Sequence, residues 1–331
     1  MNAFDHIYGC LAGLAIGDAL GMPTEFLTAD QIAESLGWVD HFVAAPEWHP
    51  HAVFRPGRVT DDTGQALSVL HAYAPDGSLS AGRVAQQLLR WADDAGPDLA
   101  RIIGPSTAQA LEALRRGADP RQSGKQGKSN GAAYRAIGVG LLNQAGSPRL
   151  LDQVVEACLP THATCVAISG AAAVASAVAA ACVEGAGLAD LLAAARLGAV
   201  AGRARGEWAW GTPLEGRIDL ALALVARGKG VQATLADLGS YVGADMLVAE
   251  SVAAAFGVVA LAGGDPMKAV VYAANLGGDT DTMAAIAGAV CGALGGIEAI
   301  DPDLLSQVEA ANRLDLAGEA RAVEAIQTQS R

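Results

Sequence analysis

Apolar residues recur at helical spacing from Ile7 to about Val323 with only short interruptions, and runs alternating apolar with polar residues are almost absent. Asp40 to Val43 is the nearest approach to a strand. A chain patterned this way has little from which to build a sheet, so its helices must bury their apolar faces on one another. Hydrophobic residues make up 52% of the chain but aromatic ones only 5%, so Ala, Val and Leu have to fill the core. Small side chains let helices approach closely. The expectation is an all-α protein of many helices rather than a four-helix bundle.

The spacing predicts helices over Ile7–Leu20, Gly64–Ala74, Ala81–Ala95, Ser106–Arg116, Ala132–Leu142, Leu150–Cys158 and Ala163–Val183. It continues with Leu188–Arg205, Arg217–Ala226, Thr234–Val242, Met246–Ala262, Met267–Asn275, Met283–Leu294 and a tail helix over Asp303–Ala311. No linker rich in Ser, Gly or Pro interrupts them, so residues 1–331 are expected to form a single domain. Ala163–Val183 is uncharged and long enough for a bilayer. Its Ala, Gly, Ser and Val carry little insertion energy and no Lys/Arg cluster flanks it, so it reads as a buried central helix. The start, Met1 to Asp5, lacks the basic region of a signal peptide.

A net charge of −13 argues against nucleic acid or an anionic membrane as partner, since both require a basic face. Most of the acid is expected on a solvated surface. Cys10, Cys158, Cys165, Cys182 and Cys291 form an odd set without C-x-x-C spacing, each in or beside an apolar stretch. They read as buried thiols of a cytoplasmic protein.

The loops carry the ligand-competent residues. Thr28–Val59 holds Trp38, His41, Trp48, His49, His51 and Arg55, and its length without regular structure is that of a functional lid. Pro120–Gly131 is polar and rich in Gly and Lys. Arg205–Gly216 concentrates Glu207, Trp208 and Trp210. These tryptophans and Trp48 either stack a base or pack on the surface.

Two short motifs stand directly ahead of predicted helices: Thr60-Asp61-Asp62-Thr63 and Gly277-Gly278-Asp279-Thr280-Asp281-Thr282. Asp and Thr are favoured helix caps, and a carboxylate there is stabilised by the helix dipole. A cap needs one side-chain oxygen, however, and each motif supplies two carboxylates and two hydroxyls within four residues. Crowded carboxylates repel, and a cation between them is the simplest compensation. With oxygen donors and no nearby Cys or paired His, Mg²⁺ or Mn²⁺ suits such a site better than Zn²⁺. A third acidic element is Gly17-Asp18-Ala19-Leu20-Gly21 with Glu25 beyond the first helix. Asp18 reads better as an inward carboxylate bonded to backbone than as a ligand.

Gly17 to Gly21 with Glu25, Thr60 to Thr63, Ser129-Asn130-Gly131-Ala132-Ala133, Thr161-His162 and Asn275 to Thr282 together resemble the ADP-ribosylglycohydrolase family. The likeness runs in the family's order from about Ile7 to Gly296. That family includes the hydrolase that reactivates dinitrogen reductase and the ADP-ribosyl-acceptor hydrolases. The resemblance implies a compact, orthogonal all-α domain with two divalent cations, Mg²⁺ or Mn²⁺. Thr60, Asp61 and Asp62 would bind one side of the centre, and Asp279, Asp281 and Thr282 the other, with Glu25 as a further or switchable ligand. The loop Gly127, Lys128, Ser129, Asn130 and Gly131 would cradle phosphate, with Lys128 assisting, and His162 would touch the distal part of the ligand. Cleaving a glycosidic bond needs activated water opposite the leaving group, and Glu25 or Asp62 would take its proton. The substrate would be an ADP-ribosylated protein or a small ADP-ribosyl or ribosyl compound.

Two positions depart from the family's pattern. Ile102 falls where arginine-specific relatives often carry an Asp, leaving Asp98 or another route for water activation. Tyr134 stands where Met is commoner. The alternatives are an N-ribosyl hydrolase for a nucleoside-like metabolite, or a non-catalytic relative of the lens-crystallin kind. Retention of Asp61, Asp62, Asp279 and Asp281 argues against the last.

Overall fold

A computed structural model describes residues 2–329. The fold is all-α: among the described residues there is no strand, only isolated bridges pairing Ser129 with Leu247 and Thr164 with Glu207. Both bridges tie together the loops around the site described below.

The centre is the pair Ala3–Gly21 and Thr280–Gly295, flanked by Cys165–Ala181, Val248–Leu261 and Pro266–Ala274. Every residue of Cys165–Ala181 is buried inside the protein, as a central helix requires. No single helix among the described residues is long and apolar enough to cross a membrane.

The first helix meets its partner through glycines. Gly9, Gly13, Gly17 and Gly21 recur every four residues and so line one face. A Cβ on Gly13 would stand 2.1 Å from the Gly288 carbonyl oxygen, and one on Gly17 would stand 2.1 Å from that of Ala284. The same holds at Gly9 against Gly292 and at Gly21 against Thr280, each at 2.5 Å. The two backbones therefore touch, and this contact sets the start of Thr280–Gly295 beside the end of the first helix. Gly13→Val should be severely destabilising, because the opposing atom is backbone and cannot turn aside; overpacking costs about 1–3 kcal/mol, and here at least the upper end. Thermal unfolding checks it: a melting temperature within a degree or two of wild type would show that the helices can separate freely.

Several expected helices have different bounds. Thr28 opens a helix over Ala29–Ser35 through a reciprocal cap with Gln31, so the irregular segment begins only at Leu36. Ala132–Leu142 is two short helices, Gly131–Arg135 and Ile137–Leu141, parted at Ala136. There the Ala136 amide reaches both Ala132 and Ala133, tightening the turn. Gly138 and Gly140 then fit against Leu70 and Val178, where a Cβ would stand 2.8 Å from either side chain. Thr234–Val242 changes after Asp237 to a wider turn over Leu238–Val242. A last helix, Leu316–Gln329, buries Leu316, Ala320 and Val323.

Candidate functional site

Three chain segments converge at the glycine contact. Glu25 closes the tight turn Met22–Thr24 beyond the first helix. Asp61 and Asp62 lie in the first turn of Asp61–His71, and Asp281 and Thr282 in the first turn of Thr280–Gly295, rather than ahead of those helices as expected. Both motifs thus form helix starts, where backbone N–H groups favour negative charge. Capping is a small part of it. Thr60 caps the first of these helices, while Asp279 makes no side-chain cap.

The two motifs meet. The Thr60 hydroxyl lies 3.2 Å from Asp62 Oδ2 and 3.3 Å from Asp281 Oδ2. Carboxylate oxygens of Asp18, Asp62 and Asp281 lie within 4.8 Å of one another, and so do those of Glu25, Asp279 and Asp281. Asp281 belongs to both groups. The Thr282 side chain is in hydrogen-bonding reach of both Asp62 and Asp279.

Asp18 is spoken for. Its Oδ1 accepts from the Thr60 amide (2.8 Å) and hydroxyl (2.9 Å), and its Oδ2 from the Thr63 amide (3.0 Å) and hydroxyl (2.6 Å). It pins the start of Asp61–His71 to the first helix. Asp61 lies in neither three-carboxylate group; its Oδ2 accepts from the Tyr134 hydroxyl at 2.8 Å and from the Gln65 carboxamide. Asp62 Oδ1 is buried without a hydrogen-bond partner.

Burial, then mutual repulsion, pushes Glu25, Asp62 and Asp281 well above the ordinary carboxylate range. Asp61 is pushed up to about 7, mainly by burial, against the pull of its Tyr134 bond and the Arg135 charge. Asp279 is raised too, mainly by burial, against the pull of its hydrogen bonds, Asn130 among them. One buried cation, Arg135, cannot balance this many acids, and its Nη2 is committed to His162 Nδ1 at 2.7 Å. The donor set is hard oxygen throughout, with an orphaned oxygen at Asp62. It fits a small divalent cation.

Glu25 is held from behind by two buried histidines. His49 Nδ1 accepts from the His51 amide, so its Nε2 carries the proton and donates to the Glu25 carbonyl at 2.7 Å. His51 Nδ1 lies 3.3 Å from Glu25 Oε2. The neighbouring Phe26 adopts the left-handed region at φ 60°, with its amide donating to the Gly278 carbonyl at 2.7 Å. Such backbone costs a non-glycine residue about 1–3 kcal/mol and tends to mark functional segments.

The loop from Gly127 to Gly131 lies beside the carboxylates, but its groups are partly spent. The Gly127 amide donates to the Gly124 carbonyl, and the Asn130 amide to that of Met246. The Asn130 carboxamide donates to Ser251 Oγ at 2.8 Å and to Asp279 Oδ2. The Asn130 side chain therefore supports a carboxylate. His162 is fully buried: Arg135 and Thr161 meet its Nδ1, and Ser129 Oγ meets its Nε2 at 2.8 Å. Burial and the Arg135 charge hold it well below the ordinary histidine range, hence neutral. Both ring nitrogens of His162 are thus engaged by protein groups, with Ser129 on its Nε2. Lys128 is exposed, and Gly131 packs against the His162 ring.

A cavity of about 400 Å³ opens beside this loop, lined by Ser106, Gln109, Arg116, Lys125, Gln126 and Gly127 among others, none of them acidic. Two larger cavities of about 750 Å³ hold none of the clustered carboxylates. Trp208 and Trp210 are 81% and 83% exposed and Trp48 62%, so none is packed away. Ile102 is buried beside Met22 and Phe54, and Asp98 faces Arg58 at 3.9 Å, apart from the cluster.

Fold and site together define an all-helical protein whose two acidic helix starts close on one buried carboxylate cluster. The chain belongs to the ADP-ribosylglycohydrolase family, whose model matches residues 1–331. That family is one of ADP-ribosyl hydrolases, which makes this chain a hydrolase by class. It is 34% identical over 316 residues to the uncharacterized protein YegU of Escherichia coli K12, covering 94% of each chain. It is 25% identical over 162 residues to the ADP-ribosyl-[dinitrogen reductase] glycohydrolase of Rhodospirillum rubrum, covering 49% of this chain and 52% of that one. A solved structure, an ADP-ribosylglycohydrolase-related protein complex, superposes over 99% of both chains with a TM-score of 0.69 and 25% identity.

Proposed function

We propose that residues 1–331 act as one domain that hydrolyses the bond between an ADP-ribosyl unit and its acceptor, at a centre for two Mg²⁺ or Mn²⁺ ions. The observation that carries this is the meeting of the two acidic motifs at Asp281, whose carboxylate comes within 4.8 Å of Asp62 on one side and of Glu25 and Asp279 on the other. Thr60, Asp61 and Asp62 would hold one side, Asp279, Asp281 and Thr282 the other, with Glu25 completing it. Bound cations would supply the positive charge that orients a vicinal diol and makes water more acidic. Glu25 and Asp62, the carboxylates flanking Asp281, are the groups placed to take a proton from water. The acid-free cavity beside Gly127 suits the phosphates of an ADP-ribosyl group, with Lys125 and Arg116 at its edge.

Arginine as the acceptor has less support. Ile102 is buried in an apolar cluster with Met22 and Phe54 and itself offers no carboxylate to a guanidinium. That patch favours a second reading, an N-ribosyl hydrolase for a nucleoside-like metabolite. The free cysteines, four of the five buried, agree with a cytoplasmic setting.

A Mn²⁺-dependent hydrolysis screen across ADP-ribosyl-arginine, ADP-ribosyl-serine, O-acetyl-ADP-ribose and simple nucleosides tests both. Turnover of an ADP-ribosyl compound other than the arginine conjugate is expected. Turnover of nucleosides alone would favour the second reading, and metal binding without turnover of any of them would favour a non-catalytic relative.

A further inference from the structure

Tyr134 and Gln65 do something for Asp61 that hydrolysis alone does not explain. A carboxylate oxygen has about two lone-pair positions. On Asp61 Oδ2 both are taken, one by the Tyr134 hydroxyl at 2.8 Å and one by the Gln65 carboxamide. Tyr134 is 3% exposed and Gln65 fully buried, so water cannot readily replace either donor. The two come from different directions: Gln65 is one turn beyond Asp61 on the same helix, and Tyr134 stands on Gly131–Arg135. The helix that carries Tyr134 is itself anchored at both ends of the site. Asn130 ahead of it binds Asp279, and Arg135 at its end binds His162. The phenol therefore has little freedom to swing away.

We infer that Tyr134 and Gln65 restrict Asp61 to a single coordinating oxygen, Oδ1, and thereby bias the centre toward six-coordinate Mg²⁺ or Mn²⁺ and against Ca²⁺. The inference rests on the two-cation reading above. Its physical basis is coordination number. Ca²⁺ takes six to eight oxygens and commonly uses a carboxylate through both, whereas Mg²⁺ requires a tight octahedron of single oxygens. A carboxylate with one oxygen permanently occupied serves the octahedral ion and denies the larger one its bidentate ligand. Tyr134 and Gln65 are thus positioning residues: they touch a ligand of the metal, not the metal or the substrate.

The test is calorimetric titration of Mn²⁺ and of Ca²⁺ into EDTA-stripped protein, for wild type, Tyr134→Phe and Gln65→Met, with circular dichroism as the folding control. Wild type should bind Mn²⁺ more tightly than Ca²⁺. Tyr134→Phe should weaken Mn²⁺ binding about tenfold, the lower end for losing a hydrogen bond to a metal ligand. Ca²⁺ binding should hold or tighten, so the Mn²⁺ to Ca²⁺ preference falls about tenfold. Gln65→Met should shift the preference the same way, and decides the matter if Tyr134→Phe does not fold. If wild type binds Mn²⁺ but both variants keep its ion preference within twofold, this inference falls while the two-cation reading stands. If wild type binds neither ion, the two-cation reading falls and takes this inference with it.

Discussion

Asp281→Asn gives a folded protein that has lost at least about a thousandfold in hydrolysis and is more heat-stable than wild type when both are free of metal. The first half follows from Asp281 being the carboxylate common to both oxygen groups, so that its loss weakens the two cation positions together. Removing one electrostatic stabiliser of a developing charge costs about 10²–10³ in turnover, and here two positions are affected. The second half follows from the repulsion. Burial, Glu25, Asp62, Asp279 and Asp18 all raise the proton affinity of Asp281, so its ionised form is a liability in the metal-free protein. Asn retains an oxygen to accept from the Thr282 amide, as Asp281 Oδ1 does at 2.9 Å. Such exchange of stability for activity is common at functional sites. Activity assays with Mn²⁺ and thermal unfolding in EDTA decide the two halves separately. Full turnover would remove Asp281 from the centre, and a lower melting temperature in EDTA would mean that the crowding is not a cost.

The second large effect is a dependence of the metal-free protein on pH. Asp61 is raised to about 7, and Glu25, Asp62 and Asp281 are raised as well. Folding therefore keeps protons that the unfolded chain releases above the ordinary carboxylate range. The folded state binds more protons than the unfolded one in this interval, so stability falls as pH rises from about 4 through 7. Cations remove the cause, since the carboxylates can then ionise where they stand, releasing protons as metal binds. At a hundred times its dissociation constant a ligand adds about 2.7 kcal/mol, or roughly 4 °C in a protein of this size. The EDTA-treated protein should melt at a lower temperature at pH 8 than at pH 5.5, and Mn²⁺ should restore more at pH 8. A metal-free melting temperature that rises over this range would show that the cluster is not protonated when empty.

The sequence made the all-α class legible because helical spacing extends over nearly the whole chain and nothing alternates. Ala81–Ala95 has the same bounds as its pattern, since Ser80 caps it and Gly96 ends it. The split at Ala136 was not legible, because the glycines that shape it answer to Leu70 and Val178, distant in sequence. The last helix carries its own signal in Leu316, Ala320 and Val323, which stand at helical spacing. At the site, the two acidic motifs announce themselves by crowding. That they meet depends on the glycine face of the first helix, which apolar periodicity does not register. Asn130 on Asp279 and Arg135 on His162 carry no local signal, whereas Gln65 stands four residues after Asp61, a spacing that does bring side chains together on a helix.

The backbone contact between the first helix and Thr280–Gly295 also has a mechanical consequence. Where Gly13 meets Gly288 and Gly17 meets Ala284, there are almost no side-chain rotamers to exchange, so these helices cannot slide by repacking. Asp18, Asp279 and Asp281 are then one fixed jaw. Glu25 stands beside the left-handed turn at Phe26, held by His49 and His51 from the irregular segment 36–60 and tied to that jaw by the Phe26 amide on the Gly278 carbonyl.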